Sequence, residues 1–168
     1  MKRKLLAALS ATAFFLVSCG GSSDVVDAYI EIANKGNCSL APLSAFYASD
    51  EVAPLSSNED FAPYVEEHQN LNADAADGLD TLMQEMEAVE WPDDVIDEVD
   101  VYLTNVEMTV AFLDEMSTAE TYDEVMEVNM NVPNADLSTS EAVKAKLGVT
   151  DEQVPQTSNL EELLDACN

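Results

Sequence analysis

Apolar residues recur along this chain at steps of three and four rather than two. The longest run lies between Phe61 and Val89. There Val65, His68, Asn72, Ala75, Leu79, Leu82, Met86 and Val89 share one helical face, and Leu71 and Met83 widen it. That spacing predicts a core-facing bundle helix, with Pro63 in its first turn and Gly78 as a weak point in its middle. Glu90-Trp91-Pro92 then breaks the chain. Pro92 at the first helical position, followed by Asp93 and Asp94, predicts a second long helix to about Ser117. Its stripe is Val95, Val99, Tyr102, Leu103, Val106, Val110, Leu113 and Met116. Two long helices joined by so short a turn pack antiparallel.

The flanking segments are shorter. Val25, Tyr29, Ile32 and Ala33 form the stripe of a helix from Ser23 to Lys35, with Gly36 as its stop. Residues 37–60, interrupted by Pro42 and Pro54, read as an irregular connection. Within it Leu40, Leu43, Phe46 and Tyr47 can make one packed helical turn. Toward the C-terminus three capping boxes recur, Thr121 with Glu124, Ser138 with Glu141, and Ser158 with Glu161. They predict short helices over 125–131, from Ser138 to a stop at Gly148, and over Leu160 to Cys167. Pro133-Asn134 reads as a turn between the first two. No run of alternating β-branched residues occurs, so the expected fold class is all-α, a helical bundle around a long antiparallel pair.

The first residues change the picture. Met1-Lys2-Arg3-Lys4 is basic, Leu5 to Val17 is apolar, and Ser18-Cys19 is followed by Gly20-Gly21-Ser22-Ser23. The apolar run is shorter than the roughly 20 residues a spanning helix needs and has the form of a secretory signal. Leu16-Val17-Ser18-Cys19 resembles the lipobox of bacterial lipoproteins, a resemblance confined to residues 1–23. It implies that Cys19 carries thioether-linked diacylglycerol, becomes the mature N-terminus and holds the protein by acyl chains such as palmitate on a membrane outside the cytoplasm, either an outer membrane or the outer face of the cell membrane. Two chains hold a protein stably where one binds marginally. The expected organisation is a signal peptide at 1–18, a lipidated Cys19 with its tether at 19–23, and one helical domain at 24–168.

Charge then excludes partners. Removing residues 1–18 takes away half the basic residues and leaves Lys35, Lys144 and Lys146. Three lysines against 34 acids give a net charge of −31. Nucleic acid is excluded, because phosphate contacts need Lys and Arg. Anionic lipid repels such a body, so the anchor works without electrostatic help. With Cys19 consumed by lipid, Cys38 and Cys167 remain. An even pair in a compartment that permits disulfides predicts a bridge between them.

Candidate chemistry is sparse. His68 is the single histidine, sits on an apolar stripe and reads as a partly buried structural residue; one histidine builds no multi-histidine metal site. The run Asn72 to Gly78 fails as a calcium loop, since the ligand positions fall on Ala73, Ala75 and Gln84. Acid clusters at Asp93-Asp94 with Asp97-Glu98, at Glu85 with Glu87 and Glu90, and at Asp114-Glu115 with Glu120 read as solvated faces able to hold divalent cations weakly. Met83 with Met86 and Met126 with Met130 read as core fillers rather than copper ligands. No nucleophile–base set, phosphate loop or Cys-x-x-Cys pair is present. The expectation is a lipid-anchored helical protein without catalytic activity or cofactor. It would bind an extracytoplasmic protein partner or a cation. The alternative is a small-ligand or metal carrier using the bundle interior.

Overall fold

A computed structural model of the chain describes residues 23–131, 138–155 and 159–167, and of Ser138 the backbone alone. Every regular element among the described residues is a helix, so the all-α expectation holds.

The first helix, α1, runs from Ser23 to Ala48, far beyond Lys35. Gly36 does not stop it. A Cβ at Gly36 would stand 2.1 Å from Leu82 Cδ1, and one at Gly78 would stand 2.2 Å from Ser39 Cβ. Both glycines are there so that two helix backbones can come together. Pro42 lies inside α1 and is exposed. It removes one backbone hydrogen bond, while Ala41, Leu43 and Phe46 beside it are buried and keep the helix on course. Leu40 and Tyr47 extend the same stripe. The irregular connection therefore shrinks to residues 49–57, where Ser49 Oγ donates to Phe46 O at 2.8 Å and accepts from Val52 N at 3.2 Å.

Helix α2 is one turn, Asn58–Phe61, capped by Ser57, and a 3-10 turn at Ala62–Tyr64 contains Pro63. Helix α3 follows over Val65–Glu87, starting later than Phe61 because Pro63 tightens the preceding turn. His68, Asn72, Ala75, Ala76, Leu79, Leu82 and Met86 are its buried residues, close to the predicted stripe. Helix α4 spans Ile96–Ser117. It opens four residues after Pro92, because 93–95 form a turn in which Val95 N and Ile96 N both donate to Pro92 O, at 2.9 and 3.1 Å.

Helices α3 and α4 are antiparallel: His68 and Gln69 at the start of α3 meet Met116 in the last turn of α4 and Ala119 just beyond it. Helix α1 is antiparallel to α3, since Lys35 reaches Glu85 whereas Tyr47 reaches His68. The bundle therefore has two ends, separated by the length of α4, about 30 Å. One end holds Ser23, Trp91 and the start of α4. The other holds α2, the end of α4, and α5 (Tyr122–Asn131).

Helices α6 (Ser138–Leu147) and α7 (Leu160–Ala166) close the first end and the flank. Gly148, at φ 70°, ends α6, and Val149 N donates to Lys144 O at 2.9 Å, the 6→1 bond of a Schellman motif. Tyr29 donates to Ser140 O, and Asn34 and Asn37 donate to the carbonyls of Gln153 and Pro155. Cys38 and Cys167 are bridged, with Cα atoms 5.5 Å apart, which fixes α7 to the middle of α1. The cap of α7 is Asn159, whose side chain accepts from Glu162 N, rather than the expected Ser158, which lies outside the described residues, as does the Pro133-Asn134 turn.

Packing divides into two cores. The main one lies between α1, α3 and α4 and includes Tyr29, Leu79, Leu82, Met86, Val99 and Leu113. The second is small: Phe61, Met116, Ala119 and Val125 are buried, and Leu55, Tyr64, Tyr122 and Val128 pack on them. Tyr47 and Phe112 touch both.

Candidate functional site

The link from α4 to α5 is only residues 118–121. Thr118 N and Ala119 N donate back to Glu115 O and Met116 O and close α4. The predicted capping box then opens α5. Glu124 N donates to Thr121 Oγ1, while Glu124 Oε2 accepts from Thr121 N at 3.2 Å and from Glu120 N at 2.7 Å. Asn58 holds the first turn from the other side, accepting from Asp123 N at 3.0 Å and donating to Asp123 Oδ2 at 2.9 Å. With Val125 driven into the second core, α5 leaves α4 at an angle and a notch opens between them.

That notch is a groove of about 440 Å³, lined by Glu115, Thr118, Ala119, Glu120, Glu124, Glu127, Val128 and Asn131. Ala119 is buried and Val128 half-buried, so the floor is apolar. Glu115, Glu120 and Glu127 are exposed on its walls, and the carbonyl end of α4 adds partial negative charge. No lysine offsets them there. Lys35 pairs with Glu31 at 2.9 Å and Glu85 at 3.3 Å, and Lys146 pairs with Glu98 at 3.2 Å. Lys144 is buried between Glu141, Asp151 and Val154 O. Burial works against its charge, and the two carboxylates outweigh burial and raise its pKa. All three therefore serve the fold elsewhere.

A cleft walled by one sign of charge focuses field and attracts the opposite sign. Its size and apolar floor suit a Lys or Arg side chain, which lays its aliphatic stem on apolar surface while its head meets carboxylates. Among the described residues no group of three or more His, Cys, Asp or Glu is arranged to hold a metal ion.

The other expected residues are placed as follows. Cys38 and Cys167 meet; Cys19 lies outside the described residues. His68 is not partly but wholly buried, at 0 % exposure. The run from Asn72 to Gly78 continues α3. Glu85 and Glu98, from two of the acid clusters, are spent on lysines. Met86 is core and Met83 packs on it, but Met126 is 40 % exposed and Met130 74 %, so the second methionine pair is surface. The reason is that Val125 and Val128, not the methionines, turn α5 toward its core.

Sequence reasoning joined Glu115 to Glu120, gave Glu124 only its capping role and did not single out Glu127. A signal existed: Glu124, Glu127 and Asn131 stand at i, i+3 and i+7, a polar stripe just after a four-residue link.

No protein-family model matches the chain, and no characterised protein and no solved structure shows detectable similarity to it.

Proposed function

We propose that this chain is an exported, lipid-anchored, non-catalytic helical protein that offers the α4–α5 groove to a cationic protein segment outside the cytoplasm. The observation that carries the reading is the groove itself: glutamate walls, an apolar floor and no lysine within the cleft. The N-terminal pattern ending in Cys19 supports the anchor. Only residues 20–22 separate Cys19 from α1. The groove sits at the opposite end of the bundle, so an anchor at Cys19 leaves it remote from the lipid. Binding there is electrostatic and weakens with salt, as exposed charge pairs do.

The test is site-specific photo-crosslinking in intact cells. A crosslinker at Asn131, on the groove rim, is expected to capture a protein through a Lys- or Arg-bearing segment. One at Asp93, at the other end, is not. Reversing charge with Glu115→Lys, Glu120→Lys and Glu127→Lys together should abolish capture. Capture that persists in the charge-reversed protein contradicts the reading.

A further inference from the structure

His68 occupies the joint between the two cores. Its Nε2 lies 2.9 Å from Met116 O, and its Nδ1 lies 2.9 Å from the Tyr47 hydroxyl. A carbonyl only accepts, so Nε2 carries the proton and Nδ1 is the bare nitrogen that accepts from Tyr47; the tautomer is assigned from these partners. The ring is packed edge-on against Phe61, with centroids 5.2 Å apart, and against Tyr47 at 6.0 Å. Asn72 Nδ2 also points at Nδ1, at 3.3 Å, while donating to His68 O at 2.7 Å. One side chain thus ties α1, α3 and the last turn of α4 to the Phe61 of α2.

A second proton has no welcome at this place. It would enter at Nδ1, where two donors already point, so Tyr47 would have to reverse its hydroxyl and the Asn72 amide would oppose it. The one spare acceptor nearby, Asn72 Oδ1, is buried and has no hydrogen-bond partner, yet it cannot turn to Nδ1 without losing the bond to His68 O. The groups facing the ring are Tyr47 from α1, Phe61 from α2, Asn72 from α3 itself and the Met116 carbonyl from α4; none is a carboxylate. The acids next in sequence, Glu66, Glu67 and Glu115, are exposed. A cation here would be buried and unpaired.

We propose that His68 is a pH-sensitive latch: protonating it releases the outer layer formed by α2, the α4–α5 link and α5 from a bundle that stays folded. The main core makes that separation feasible, because it holds α1, α3 and α4 together without Phe61, Ala119 or Val125. The groove straddles the edge of the released layer: residues 118–127 move with it, Glu115 stays on α4, and the Met116 and Ala119 carbonyls held by His68 and Gln69 lie at the seam. The inference deepens the groove reading as its regulation, but the opening itself is independent of what binds there.

The direction is fixed by linkage. Burial holds the His68 pKa below its ordinary value of 6.5, against a smaller opposing effect of the Met116 carbonyl. The opened layer binds the proton more readily than the closed one. The layer is therefore fully latched above about pH 6.5, and each unit below raises the opened fraction up to tenfold until the closed-state pKa is reached. His68 is the chain's single histidine, and histidine is the side chain whose ordinary pKa places its charge change in this range.

Amide hydrogen exchange on the full chain in detergent micelles, corrected for intrinsic rates, tests this between pH 7.5 and 5.0. Peptides covering 58–64 and 119–131 should lose protection as pH falls, while 75–86 keeps it. His68→Gln, whose amide can still donate to Met116 O but does not titrate, should flatten the response. Should that variant not fold, proton titration of His68 by NMR in the native chain decides instead. Equal loss of protection in 75–86, a pH response that survives His68→Gln, or a His68 pKa at or above 6.5 overturns the latch. None of these results bears on whether a cationic segment binds the latched groove at pH 7.5.

Discussion

Gly78→Ala sets two effects against each other with opposite signs. In an isolated helix the change stabilises, because alanine exceeds glycine in helix propensity by about 1 kcal/mol. In this fold the new Cβ would lie 2.2 Å from Ser39 Cβ and 2.4 Å from its Oγ, where carbon atoms normally stand about 3.5–4.0 Å apart. Rotating Ser39 about χ1 moves Oγ but not Cβ, so relief requires α1 and α3 to part by more than about 1 Å. That motion loosens Ala33, Ala75, Ala76 and Leu79, all buried near the crossing. Overpacking of a well-packed site costs about 1–3 kcal/mol, and an immovable contact places this one at the upper end. The net expectation is a loss of about 1–2 kcal/mol after the propensity gain. Urea unfolding followed by circular dichroism should show a midpoint lower by about 0.5–1 M at unchanged slope. Ser39→Gly in the same chain removes the opposing Cβ, and the pair should couple by about 1 kcal/mol or more. Gly36→Ala should cost less, because the atom it meets first is the mobile end of Leu82. A Gly78→Ala protein that unfolds at higher urea, or a pair that shows no coupling, refutes the close crossing.

Further outcomes are expected. Replacing Cys38 and Cys167 by Ser opens a loop of 129 residues; the chain-entropy limit is on the order of 5 kcal/mol, and the loss should appear first as exchange and proteolysis at α7, whereas an unchanged unfolding midpoint would show that the bridge constrains nothing. With three lysines, all paired, set against 34 acids, the melting temperature should rise from 0.1 M to 1 M NaCl as the Debye length falls from about 10 to about 3 Å; a flat melt series would mean the acids do not interact. Cys19→Ala should move the protein from the detergent phase to the aqueous phase on partitioning, and equal retention of both forms would contradict the anchor.

The two long helices were legible because their stripes are regular: from Val65 to Met86 and from Val95 to Met116, a residue's place in the period decides its burial. Gly148 was legible for a local reason, its positive φ at a helix end. Gly36 was not, because its role depends on Leu82, forty-six residues away, and a glycine that stops a helix and one that admits a second helix look alike in sequence. Pro42 misled in the same way, since burial of its neighbours outweighs one missing backbone bond. The disulfide followed from parity and compartment once Cys19 was set aside. The groove was illegible as a shape: Glu115 and Glu120 were visible as acids, but the notch depends on how the Thr121–Glu124 box, Asn58 and Val125 together set α5 against the end of α4. Met126 and Met130 failed for that reason as well, having helical spacing on a face that the described residues leave exposed.

The most direct test of the account is the mass of the N-terminal peptide from protein extracted from the membrane fraction. The account predicts a peptide that begins at Cys19 and carries diacylglycerol with at least two acyl chains. A peptide that retains residues 1–18, or one that begins elsewhere and bears no lipid, would contradict it.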